Sequence, residues 1–329
     1  MSIRTALLAL TLCLLPAAAH ADEAEAERAR GRALVAGLSG VDPALLGTYH
    51  FAYDQQGKNV GFKEVTVERA PEGSGAAYKV TIRVEGGLEG VGSEKVDEEA
   101  LLDERLALVS YGQRLEREFA MMGETVSIRR ELRVQRRSGE WVAEQVEKGK
   151  QKQTARLKTE APEYGYEASW LLLARKLDLV AGGKLRLPTI YFAFDEDEES
   201  SVEDVTIGVG PARPFMLGGR EVTAHLIEVE ADLRNKVLVT PEHALVAHWV
   251  GPERTQDRYV AVASAEEARK DLEAEDTSPE AQEARRVALA WFEVMAGERP
   301  VEALDDVVDW TALRDQEAER RPAAVAQPA

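Results

Sequence analysis

One stretch of the chain interrupts two long halves that otherwise read as β-strand. Residues 163–194 run EYGYEASWLLLARKLDLVAGGKLRLPTIYFAF. Trp170, Leu173, Ala174 and Leu177 recur at helical spacing, so the stretch opens with an apolar helix, placed at 165–180. Gly182 and Gly183 tolerate the positive φ that ends a helix, and from Lys184 the pattern turns to period two. A lone apolar helix between two runs of strands has to bury itself against them. The expected fold class is therefore mainly β (α+β): a large curved antiparallel sheet or half-barrel wrapped on a central helix, plus a C-terminal helical segment.

The first residues bear on compartment. In MSIRTALLALTLCLLPAAAHA, Arg4 is a positive n-region, Thr5 to Leu15 an apolar core and Ala19-His20-Ala21 a cleavage site, so residues 1–21 read as a signal peptide. That apolar run is too short to span a bilayer, and no later segment approaches roughly eighteen uninterrupted apolar residues. Cys13 follows Leu12 rather than a small residue, which argues against lipidation. Cleavage after Ala21 removes the one cysteine, leaving packing rather than disulfides to hold the mature chain. The formal net charge is −18, and loss of Arg4 makes it one unit more negative. Such a balance repels phosphates and excludes a nucleic-acid partner. The expectation is an exported protein, periplasmic or extracellular, that is not integral to the membrane.

Residues 22–45 read as a short helical lead-in, turning at Asp42-Pro43. From 46 to 263 the strands follow one another. Tyr49, Phe51 and Tyr53 alternate with Thr48, His50 and Ala52, and Tyr78, Val80, Ile82 and Val84 alternate with polar residues. Tight turns at short, regular spacing point to an antiparallel meander rather than βαβ units. Helices resume at 264–321, where Ser264 and Glu267 have capping-box spacing and Val287, Ala288, Trp291, Val294 and Met295 form an apolar face. Residues 322–329 read as a disordered tail.

Candidate sites are few. Asp195 to Glu199 form an acidic run, but the Gly and Glu positions of a calcium loop hold Ser200 and Thr206, so it reads as a solvated loop. Lys148, Lys150, Lys152, Arg156 and Lys158 share one face of a strand. They suit either contact with an anionic partner or protection of a sheet edge. His50, His225, His243 and His248 show no metal-binding spacing, and no nucleophile elbow, phosphate loop or dinucleotide fingerprint occurs. No cofactor and no enzymatic activity is expected. The inward aromatic and aliphatic residues Tyr49, Phe51, Tyr53, Trp170, Leu173, Leu177, Tyr191 and Trp249 are the candidate lining of a ligand cavity between sheet and helix.

The segments GTYHFAYDQQGKNVGFKEVTVER, SWLLLARKLDLVAGG, LGGREVTAHLIEVEA and NKVLVTPEHALVAHWVG, in that order, resemble periplasmic proteins of unknown function with a fold like the lipoprotein carriers LolA and LolB. The resemblance runs from Leu46 to Ala263 and rests on pattern. It implies a half-barrel closed by helices, with an apolar cavity for acyl chains. The function expected is binding of an apolar or amphipathic ligand, or a lipidated partner, in that cavity. The alternative is an envelope scaffold with a dry core and a partner-binding helical tail, followed by an envelope hydrolase using carboxylates.

Overall fold

The computed structural model describes residues 22–55, 58–88, 92–121, 124–147, 150–159, 163–192, 200–217, 220–230, 235–250 and 257–269. The expected signal peptide, the acidic run at 195–199 and the helices and tail expected beyond residue 269 lie outside these.

Helix α1 (22–37) leads through a 3-10 turn, Pro43–Leu45, into the strands. The first eight are β1 (Gly47–Gln55), β2 (Lys58–Arg69), β3 (Tyr78–Leu88), β4 (Gly92–Leu102), β5 (Leu108–Met121), β6 (Glu124–Arg137), β7 (Glu140–Glu147) and β8 (Lys150–Lys158). Helix α2 (Tyr166–Ala174) follows. The second series is β9 (Lys184–Tyr191), β10 (Ser201–Val209), β11 (Arg213–Leu217), β12 (Arg220–Glu230), β13 (Asn235–Val239), β14 (Leu245–Val250) and β15 (Asp257–Val262). A short helix, α3 (Ala265–Arg269), ends the described chain. The protein is mainly β.

The strands form one open sheet in the order β8-β7-β6-β5-β4-β3-β2-β1-β15-β14-β13-β12-β10-β9, with β11 paired to β12 alone. Two sequential meanders thus meet where the first strand pairs with the last, His50 opposite Val262 through Asp54 opposite Arg258. Strands β8 and β9, consecutive in the chain, stand at opposite ends of the order, and α2 is the crossover between them.

Two compact units divide the chain. The smaller holds residues 87–94, 117–128 and 274–329; in its described part Arg117 pairs with Glu94 at 2.5 Å. The larger, residues 1–86, 95–116 and 129–273, carries α2 and the core. Within it the sheet curls. Five strands separate β5 from β14, which in a flat sheet would place them about 29 Å apart at ~4.8 Å per step. Yet Tyr111 of β5 stacks on Tyr166 at 3.6 Å, and His248 Nδ1 of β14 lies 3.8 Å from Glu167 Oε1, one residue along α2. Adjacent residues Glu163 and Tyr164 also join β5 to β9. Leu108 N–H donates to the Glu163 carbonyl at 2.8 Å, and Tyr164 N–H donates to the Pro188 carbonyl at 2.9 Å.

Because the sheet surrounds it, α2 buries seven of its nine residues rather than one stripe. It is also shorter than the expected 165–180. The Arg175 and Lys176 N–H groups fold back to the Leu172 and Leu173 carbonyls, tightening the last turn. Arg175 then reaches the carbonyls of Ala44 and His243 at 2.9 and 3.1 Å. Gly182, at φ +78°, serves the next turn instead, where Gly183 N–H donates to Val180 as the chain enters β9. Strand β11 carries Pro214. It is a five-residue edge strand, where proline is tolerated.

Candidate functional site

In β2, Lys63 has the same parity as the buried Val65 and Val67, so its side chain points into the core. In β4, Glu98 has the parity of Val96, Ala100 and Leu102, all buried. Helix α2 delivers Glu167, and β14 delivers His248. Three strands and one helix from distant parts of the sequence therefore aim charged or polar groups at one point beneath the first turn of α2.

Lys63 is 1% exposed and its ammonium contacts the Glu167 carboxylate. His248 Nδ1 lies 3.5 Å from Lys63 Nζ, while its Nε2 is buried with no hydrogen-bond partner among the described residues. The Tyr259 ring sits 4.2 Å under the lysine nitrogen, and stacks on His248 with ring centroids 5.5 Å apart. Glu98 accepts from Gln113 Nε2 at 2.9 Å and from the Tyr111 hydroxyl. Loss of water and the nearby Glu167 charge together push the Glu98 carboxyl up to about 7. Burial, with help from the Lys63 charge, pushes His248 well below the usual imidazole range and keeps it neutral. Burial likewise raises the Tyr111 and Tyr166 hydroxyls, which stay protonated. One carboxyl that holds its proton up to about pH 7, one ion pair and one neutral imidazole meet here in a largely dry setting. Tyr166 begins the helix at φ +58°, a conformation that costs a non-glycine residue about 1–3 kcal/mol. The cluster is thus held under a strained helix start.

At the other end of α2 is a half-open cavity of about 270 Å³. Leu38, Leu45 and Leu106 give it an apolar floor, and Asp42, Glu104 and Lys176 a charged rim. Asp42 and Lys176 are ion-paired, and Gly40 N–H donates to Glu104 at 3.1 Å. The Tyr78 hydroxyl accepts from Asp42 N–H and donates to the Gly40 carbonyl, which fixes the loop forming the cavity wall.

Of the expected cavity residues, Phe51, Tyr53, Trp170, Leu173 and Leu177 are buried together in the main core, and Tyr49 packs against them. The Tyr49 hydroxyl donates to the Leu45 carbonyl at 2.9 Å and its ring faces the Arg175 guanidinium. Tyr191 is half-buried on β9. Trp249 packs in a separate cluster with Leu217, Ala224, Leu238, Ala247 and Val260, one residue out of phase with the inward His248 and Tyr259. Of the basic residues, Arg156 and Lys158 are exposed on β8, which ends the strand order, and Arg156 pairs with Glu140 at 3.1 Å. Lys148 and the side chains of Lys150 and Lys152 lie outside the described residues.

Sequence reasoning missed Lys63, Glu98 and Glu167, and weighed His248 as a metal ligand alone. A signal was present: a charge at an inward position of an otherwise alternating strand. Among the described residues no three acidic or histidine side chains converge to hold a metal, and no helix is long and apolar enough to cross a membrane.

No family model matches the chain, and no curated protein matches its sequence. Among solved structures it is similar to a beta-barrel-like protein of the domain of unknown function DUF1849 from Brucella abortus. The TM-score is 0.37 and identity 14%, over 65% of this chain and 94% of that chain.

Proposed function

We propose that this is an exported binding protein that takes a small amphipathic ligand, or the end of an apolar group carried by a partner, where α2 leaves the curled sheet. The observation that carries the reading is the half-open cavity with a leucine floor and a charged rim. The interior of the curl is occupied by α2, so it offers no room for a long chain. The cavity, at about 270 Å³, lies just under the usual ligand-pocket range of roughly 300–1,000 Å³, which suits a short apolar group with a polar head. A lipoprotein-carrier role, with the acyl chain only partly enclosed, is the form of this reading closest to the fold resemblance. Glu98 and Glu167 converge, but on Lys63 and Tyr111 rather than on the cavity, so a carboxylate hydrolase draws no support from them.

Native mass spectrometry of protein purified from its exported compartment, followed by organic extraction, tests the proposal. The expected result is a small amphipathic adduct that is lost when Leu38→Trp fills the cavity. Bare protein in both samples would overturn it. The scaffold alternative would then gain ground, with the outer cluster around Phe215 and the 63%-exposed Met216 as the surface to probe.

A further inference from the structure

The charges around the half-open cavity do not balance. On its rim, Lys176 is ion-paired with Asp42, so those two cancel. Glu104 is left over. Its carboxylate accepts the Gly40 N–H at 3.1 Å and pairs with no cation among the described residues. Arg69, opposite Tyr78 on β2, is not among the residues that line the cavity. Helix α1 adds the same sign. It runs to residue 37, and Gly37, Leu38, Ser39 and Gly40 all line the cavity, so the helix presents its C-terminus there. Its last turn closes with Leu38 N–H on the Val35 carbonyl at 3.1 Å, and the carbonyl end of a helix carries about half a negative charge. Glu104 is also held in place. The Asp103 carboxylate accepts the N–H groups of Arg105 and Ala107 at 2.8 and 2.9 Å, which fixes the turn that carries Glu104 over the buried Leu106.

Resting on the binding reading above, we infer that the cavity selects a cationic head: a primary amine on a short apolar tail. The tail lies on the leucine floor, and the ammonium sits against Glu104 and the end of α1. A primary ammonium offers three N–H donors and no acceptor, which suits a carboxylate and helix-end carbonyls that only accept. A carboxylate head would meet these groups as like charges, and could reach Lys176 only by breaking its pair with Asp42.

Ligand-observed NMR titration of the purified protein at neutral pH and low salt, with n-hexylamine, 1-hexanol and hexanoate in turn, tests the inference. Hexylamine is expected to bind about tenfold more tightly than hexanoate, with hexanol between them, and the preference is expected to shrink as salt is raised. Glu104→Gln keeps an amide oxygen for the Gly40 N–H, and should weaken hexylamine about threefold while leaving hexanol unchanged. Hexanoate binding as tightly as hexylamine, or an unchanged preference in Glu104→Gln, overturns the cationic head and leaves the cavity reading standing. Hexylamine binding that survives Leu38→Trp is attraction to the acidic surface and overturns the inference likewise. No binding of any of the three sinks the cavity reading and the inference with it. The comparison of the three probes is made on the wild-type chain, so the decision does not rest on a variant's folding.

Discussion

Glu98 and His248 pull stability in opposite directions as pH changes, and each can be seen alone by removing the other. Glu98 has a folded pKa of about 7 against an ordinary value of 4.5. Its contribution is full below pH 4.5 and is lost as pH rises through 7, on the order of 3 kcal/mol in all. His248 is depressed below 6.5, so its contribution is full above that value and is lost as pH falls. Below pH 6.5, and above the ordinary Glu98 value of 4.5, the two effects oppose each other, Glu98 weakening and His248 strengthening the fold as pH rises. Urea melts across this window should therefore show Glu98→Gln gaining stability with rising pH relative to wild type, and His248→Gln losing it. Parallel profiles for all three proteins would mean that neither group is perturbed as the geometry implies. The cluster was only partly legible beforehand. The parities of Lys63 and Glu98 are written in the strands, but their meeting depends on which strands become neighbours of α2, a fact of topology rather than of local pattern.

At the scale of elements, the docking of α1 turns on one residue. A Cβ on Gly31 would lie 2.0 Å from the Arg186 carbonyl oxygen, so the helix backbone rests directly on β9. Glu27, buried, accepts from Arg186 at 2.7 Å, and Arg28 donates to Asp204 at 2.6 Å. Gly31→Ala should lift α1 and cost about 1–3 kcal/mol, despite alanine's better helix propensity, as measured by chemical denaturation. A gain in stability would show that the close approach is absent. The strands themselves were readable, because alternation survives wherever one face is buried, as in Tyr78 to Val84. The predicted helical stripe is buried as expected but is only part of what α2 buries, for a physical reason. A periodicity argument assumes one wet face, and a helix enclosed by a curled sheet has none. The first half of the expected capping box is present, Glu267 N–H donating to Ser264 Oγ at 3.2 Å, while the Glu267 carboxylate accepts at 3.0 Å from Ala263 N–H, one residue before the cap.

For the whole molecule, the decisive contact is the seam between β1 and β15, where the two meanders become one sheet. A chain stopped at residue 256 would keep every other described strand but leave β1 and β14 with bare edges. It should lose cooperative unfolding in circular-dichroism melts and self-associate on gel filtration. A monomeric, cooperative truncation would show that the meanders are independent domains. The seam also sets a schedule. During synthesis β1 emerges early, while its partner is the last of the described strands, so the two meanders cannot join until residue 262 has been made. Non-local pairing of this kind makes folding slow and leaves half-finished edges open to wrong partners. The most vulnerable moment in its folding is the wait for β15. A chaperone that shields β1 over that interval would do more for its yield than any stabilising change within the finished core.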